Sequence, residues 1–189
     1  YNLFNILKQS DPEPVTFDSQ FLVTGYNARS ELENLIREQA KLGQDGYIVI
    51  KCNSLDDDKI IRKLESAART GCTVELIVRG ICTWDPGTYL GNNVRIRSFV
   101  WDKLEHSRVY LFGLDNPVCY IGSLDPVSNK LDKRIETLVR VISEDSVFTI
   151  CDYLNRYLCP SENAWEMYHR DDGTVSYRKE GLGGGIYTG

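Results

Sequence analysis

The 189-residue sequence has no apolar run approaching the roughly 20 residues that a membrane-spanning helix needs. Its six cysteines include no CxxC pair, and its two histidines, His106 and His169, stand far apart, so spacing offers no structural zinc site. Most of the cysteines sit inside apolar patterns, where a thiol behaves as a small hydrophobe, and reduced thiols are expected. Positive charge is also short: 22 Lys and Arg stand against 27 Asp and Glu, a net charge of −5. That balance argues against a dedicated nucleic-acid binder, whose affinity is built from a basic surface. Internal repeats and low-complexity blocks are absent. Tyr1-Asn2-Leu3 reads as neither a signal peptide nor a natural start, so the chain is expected to be cut from something longer.

What is present suits one globular domain, since 42% apolar residues can fill one core at this length. Residues 1–10 form a short amphipathic piece that Asp11-Pro-Glu-Pro14 stops, because proline cannot continue a helix. A helix is predicted from Ser30, with Glu33 completing a capping box, to Gly43. Tyr47–Lys51 reads as a buried strand. Asp56-Asp-Asp58 then caps a helix that turns Ile60, Ile61, Leu64, Ala67 and Ala68 inward, and Val74–Val78 is a second strand. Strand, helix and strand in so few residues make a βαβ unit with parallel strands. Further strands are predicted over Val94–Val100, Arg108–Phe112, Val118–Ile121 and Ile135–Ile142, then a helix over Glu144–Leu158 capped by Ser143. Trp165–His169 and Val175–Arg178 flank Asp172-Gly173 as a hairpin, and Gly181–Gly185 should be flexible.

His106 is the residue best suited to chemistry, because imidazole titrates near neutrality and can act as a nucleophile or proton carrier toward phosphorus. A lone histidine at a strand start is more often structural. Arg108 changes the balance: if residues 106–108 are extended, both side chains leave one face, and a guanidinium offers bidentate donors to phosphate oxygens. Charge supports a local anion site. From Arg79 to Arg134 eight Lys and Arg stand against six Asp and Glu, leaving that segment at +2 and the rest at −7. Gly122-Ser-Leu-Asp125 follows an apolar strand, where loops commonly carry ligands, although alone it is a plain turn. Asn129, Asp132, Arg134 and Glu136 alternate with Leu131 and Ile135 ahead of the next strand, as a solvated strand start also would.

His106-x-Arg108 followed by Gly122-Ser-x-Asp125 resembles the phospholipase D superfamily signature, His-x-Lys followed by Gly-Ser-x-Asn. The lysine is replaced by Arg108, Gly113 stands where an acid is frequent, and the second motif of that superfamily is missing. Val78-Arg-Gly-Ile-Cys82, Asn93–Ser98, Leu104–Tyr110, Ile121–Asp125 and Asn129–Glu136, in this order, are similar to the C-terminal domain of bacterial polyphosphate kinase. Phe21-Leu-Val23 and Lys51–Leu55 fit the same domain, so the likeness runs from about Phe21 to Tyr177. Thr83-Trp84 and Pro126 depart from the family pattern.

The resemblance implies an α/β fold, a phospholipase D-like mixed β-sheet flanked by helices with a C-terminal β-hairpin. Residues 1–20 would be the end of a preceding unit and a linker, 21–160 the phospholipase D-like domain, and 161–189 the hairpin and Gly-rich tail. It further implies reversible transfer of the terminal phosphate of ATP to inorganic polyphosphate through a phosphohistidine in a preceding domain. His106 would be a general acid/base or phosphoryl contact, with Arg79 and Arg134 as charge clamps, while Arg108 would either contact the nucleotide or orient the loop. Asn53, Ser123, Asp125, Asn129 and Glu136 would position them. Magnesium would be held mainly outside this stretch, with ATP or ADP as substrate. The whole protein would be a homo-oligomer of the cytoplasm, with membrane association left open. Two alternatives stand beside this: a superfamily phosphodiesterase or nuclease that completes its site by dimerisation, and a non-catalytic polyphosphate- or nucleotide-binding module.

Overall fold

The computed structural model describes residues 20–99, 105–131, 135–159 and 161–179, with only the backbone of Asn129 and Lys130. The amphipathic opening piece, Val100, Asp132, Arg134 and the Gly-rich tail lie outside the described residues. In chain order the strands are β1 (Phe21–Val23), β2 (Tyr47–Cys52), β3 (Thr73–Val78), β4 (Val94–Phe99), β5 (Arg108–Phe112), β6 (Val118–Gly122), β7 (Thr137–Val141), β8 (Ala164–His169) and β9 (Val175–Lys179). The helices are α1 (Ala28–Lys41), α2 (Asp58–Arg69), the single turn α3 (Ser128–Leu131) and α4 (Glu144–Leu158).

Among the described residues all strands join one sheet in the order β1-β7-β6-β5-β2-β3-β4-β8-β9. Strands β2, β3 and β4 run parallel, as the βαβ pattern predicts, and the flanking pairs are antiparallel. The mixed sheet, its flanking helices and the β8–β9 hairpin match the expected fold class. β2 and β3 are almost wholly buried because both faces of the sheet are covered there. On one face Ile48, Ile50, Val74, Leu76 and Phe112 pack with Leu32 and Ile36 of α1 and Ile60 and Leu64 of α2. On the other, Val49, Ile77, Phe99, Val109 and Leu111 meet Leu154 and Tyr157 of α4. Period-2 alternation of side chains along each strand divides the core in two in this way.

The capping box predicted at Ser30 is not formed. Helix α1 starts earlier, at Ala28, and its N-cap is Asn27, which makes no side-chain cap hydrogen bond. The Asn27 amide is occupied with β1: Val23 N–H donates to Oδ1 at 2.8 Å and Nδ2 donates to the Phe21 carbonyl at 2.8 Å. Ser30 Oγ, already inside the helix, donates to the Asn27 carbonyl. Burial of Ala28 draws the first turn onto the sheet, so the tertiary contact decides the start. Ser143 likewise stands at the N-cap of α4 without a side-chain cap bond. Among the three aspartates at 56–58, Asp57 is the cap of α2: its carboxylate accepts from Lys59 and Ile60 N–H and from both terminal nitrogens of Arg29, at 2.8 and 2.9 Å.

Candidate functional site

Strand β2 is the point where the sheet changes direction, since β3 beside it is parallel and β5 on its other side is antiparallel. The C-terminal ends of β2, β3 and β4 therefore meet the start of β5 at one edge, where open α/β sheets commonly place ligands. Arg79 follows β3 and is exposed, and His106, two residues ahead of β5, is exposed as well. The backbone of Arg79 is fixed on both sides, by its N–H to the Cys52 carbonyl and by Ser98 Oγ donating to its own carbonyl. Gly80 N–H donates to the Asn53 carbonyl at 2.7 Å. A Cβ at Gly80 would stand 2.9 Å from that oxygen, so the turn requires glycine. Asn53 is itself buried, and its Nδ2 has no acceptor among the described residues.

On the α1/α2 side, Asp125 is 1% exposed and organises the loop after β6. Its Oδ1 accepts from Asn53 N–H at 2.7 Å and from Arg108 Nε at 3.3 Å, and its Oδ2 accepts from Arg108 Nη2 at 3.1 Å. Arg108 Nη1 donates to the His106 carbonyl at 2.6 Å. The guanidinium is thus committed to holding the histidine's backbone against the Asp125 loop. Asp125 N–H in turn donates to Glu136 Oε2, and Glu136 is tied to Thr24 beside β1. Gly122 opens this motif because β7 passes too close for a side chain: a Cβ would collide with the Thr137 carbonyl. Ser123 pairs with Thr137, donating its N–H to the Thr137 carbonyl and accepting Thr137 N–H at Oγ.

On the α4 side, Lys51 is 4% exposed, at the end of an otherwise apolar strand. Its Nζ donates to Ser107 Oγ at 2.8 Å and to the Ser107 carbonyl at 3.3 Å, and lies 3.6 Å from Glu105 Oε1. It stands over the Tyr157 ring at 4.9 Å and the Tyr153 ring at 5.8 Å from the centroids. Ser107 and Tyr153 share a hydrogen bond of 2.6 Å between their hydroxyls, and the Tyr157 hydroxyl reaches Glu105 Oε2 at 3.4 Å. Burial alone would raise the Glu105 carboxyl, but hydrogen bonds from Ser107 and the Lys51 charge outweigh it and bring it down to about 2. A folded-state value below the unfolded one means that this carboxylate's stabilisation is complete above the ordinary glutamate range and is lost as pH falls toward 2. The advantage of the natural chain over Glu105→Gln in chemical unfolding should therefore be full at neutral pH and vanish near pH 2. An advantage that stays constant through this acid range would contradict the geometry.

Of the residues named from sequence, Asn53, Arg108, Asp125 and Glu136 fall in one hydrogen-bonded group, with His106 joined to it through its carbonyl. Arg79 approaches from the neighbouring strand and shares a small cleft with Lys51, Cys52, Phe99, Glu105 and Tyr157. Ser123 is exposed at the β6–β7 seam. Asn129 is placed only by its position in α3, and Arg134 lies outside the described residues. Lys51, Glu105, Ser107, Tyr153 and Tyr157 were not singled out; the one signal was a lysine ending the apolar run Tyr47–Ile50. The two departures from the family pattern have structural uses. Trp84 is buried in the main core, and the Pro126 carbonyl accepts the N–H groups of Asp56 and Asp57, docking the Asp125 loop onto the start of α2.

Among the described residues no three His, Cys, Asp or Glu side chains cluster to hold a metal ion. Asp125 accepts from Asn53 and Arg108, and Glu105 is engaged with Ser107 and Lys51. Burial pushes the Cys72 and Cys119 thiols up to about 11 and about 12, so these are inert packing groups. Among the described residues no helix is long and apolar enough to cross a membrane.

Comparison with known proteins agrees with this geometry. Residues 21–182 match the family model described as polyphosphate kinase C-terminal domain 2. A polyphosphate kinase of Parasynechococcus marenigrum is 38% identical over 165 residues, covering 85% of this chain and 23% of that protein. The crystal structure of polyphosphate kinase from Porphyromonas gingivalis superposes with a TM-score of 0.82 at 33% identity, covering 98% of this chain and 28% of that one. The phospholipase D family member Nuc from Salmonella typhimurium shares the fold, with a TM-score of 0.52 at 16% identity over 73% of this chain and 93% of its own. The chain thus spans about a quarter of the length of the polyphosphate kinases it matches. By its matched span and its sheet alike, this chain belongs to the polyphosphate kinase C-terminal domain family.

Proposed function

We propose that this chain is the C-terminal catalytic part of a polyphosphate kinase, which moves the terminal phosphate of ATP reversibly to inorganic polyphosphate. The observation that carries the reading is the family match over residues 21–182. The site supports it chemically. Phosphoryl transfer needs alignment and charge neutralisation more than covalent help, and the sheet edge presents an exposed imidazole and an exposed guanidinium on fixed backbone. The unpaired Asn53 amide is a buried donor, suited to a phosphate oxygen and unsuited to a cation.

In this reading His106 acts as general acid/base or phosphoryl contact and Arg79 as charge clamp, with Arg134 a second clamp. Arg108 acts through the His106 carbonyl. The phosphorylated histidine and the magnesium sites belong to the remainder of the longer protein, which is a homo-oligomer of the cytoplasm. Arg79→Ala in that protein should lower turnover on the order of a hundredfold, as removal of an oxyanion-type contact does, with an unchanged unfolding midpoint because the side chain is exposed. Steady-state kinetics beside a denaturation curve checks both halves. Full turnover in the variant would remove Arg79 from the site. Hydrolysis of a simple phosphodiester by the purified chain, lost in His106→Ala, would favour a superfamily phosphodiesterase instead.

A further inference from the structure

We propose that Lys51, buried on β2, is a positioning residue for His106, acting together with Tyr153 and Tyr157 of α4. His106 itself is exposed, so little packing fixes it directly. What is fixed is its neighbours. Lys51 Nζ binds Ser107 through both its hydroxyl and its carbonyl and pairs with Glu105, so one ammonium grips the residues immediately before and after the histidine. Glu105 Oε1 also accepts the Ser107 N–H at 2.8 Å, closing a tight turn around position 106. From the opposite side of the sheet Arg108 holds the His106 carbonyl. The imidazole therefore projects from a segment clamped on both faces.

A buried lysine is an expensive way to fill space. Its charge must be desolvated, and replacing a buried ion pair as a whole by apolar side chains is commonly neutral or stabilising. Here the cost is offset by Glu105, two Ser107 oxygens and two tyrosine rings, and each of these partners except the rings belongs to the segment that carries His106. The tyrosines hold those partners in turn. The Tyr153 hydroxyl bonds Ser107 Oγ, the Tyr157 hydroxyl bonds Glu105, and the two hydroxyls bond each other at 3.1 Å. Helix α4 thereby reaches the sheet edge that carries His106. Arg79 lines the same small cleft, so the Lys51 group also sets the wall behind the second functional residue.

The inference rests on His106 being the reacting group, and its test separates the two. Lys51→Met in the longer protein should lower the unfolding midpoint, because it leaves Glu105 and the Ser107 carbonyl without their partner, and should lower kcat about 10- to 100-fold, the range seen when groups that orient functional ligands are removed. KM for ATP should change little, and Lys51→Arg should restore part of the rate. The second readout is independent of the reaction. This chain has two histidines, so the His106 imidazole is followed singly by proton NMR, assigned with His106→Ala. Lys51→Met should shift and broaden the His106 ring signals while those of His169 stay in place. If that variant does not fold, Tyr153→Phe, which removes one hydroxyl, should produce the same changes to a smaller extent. Unaltered His106 signals and unaltered kcat in a folded variant would overturn the proposal. If the natural protein makes no polyphosphate, the functional reading fails by itself, and the NMR result still decides whether Lys51 positions His106.

Discussion

Asp125→Ala is expected to destabilise the chain by about 3–5 kcal/mol, the usual cost of breaking a buried ion pair from one side. The carboxylate is 1% exposed and accepts from the buried Asn53 N–H, Arg108 Nε and Arg108 Nη2. Its removal leaves the guanidinium without a counter-charge and the Asn53 N–H without an acceptor, and an orphaned buried amide alone costs about 1–3 kcal/mol. Asp125→Asn keeps an acceptor and should lose less. Urea unfolding monitored by circular dichroism measures both, with a fall in midpoint at constant slope as the expected pattern. Because Arg108 also holds the His106 carbonyl, the damage reaches the sheet edge that carries His106. A loss below about 1 kcal/mol in Asp125→Ala, the range of an exposed ion pair, would mean that the Asp125 loop is not the keystone the geometry makes it.

The second large effect is kinetic. His106→Ala should reduce turnover of the longer protein by about 10²–10⁴-fold, the range that a positioned general acid or base contributes. Stability should hardly move, since substitution of an exposed side chain usually stays within about 0.5 kcal/mol. This contrast is informative: a histidine serving only as structure would reverse it, costing stability and sparing turnover. Unfolding midpoints and kcat taken on the same preparation separate the two cases.

The difference between the two variants reflects what the sequence could and could not disclose. The βαβ unit from Tyr47 to Val78 is legible because its apolar runs and its aspartate cap point the same way, and the β8–β9 hairpin because Asp172-Gly173 is a strong turn signal. His106 stands out through its spacing from Arg108, and Arg79 only through the resemblance to the polyphosphate kinase C-terminal domain. Three-residue β1 and single-turn α3 carry too few residues for any period to show. The start of α1 was set by Asn27 bonding to β1 and by burial of Ala28, contacts that local capping rules do not contain. Arg108 illustrates the same limit at the site: spacing suggests a phosphate ligand, whereas its guanidinium is paired with Asp125, 17 residues on. Lys51 meets Ser107 across 56 residues of sequence, and Tyr153 meets Ser107 across 46, so only the folded sheet brings that group together.

The central claim is that His106 works on phosphate in a polyphosphate kinase. Its most direct test is ATP-dependent polyphosphate synthesis by the longer protein that contains this chain, assayed side by side with its His106→Ala variant. Synthesis by the natural protein and its near loss in a variant of unchanged stability is the predicted result; equal synthesis by both would contradict the account.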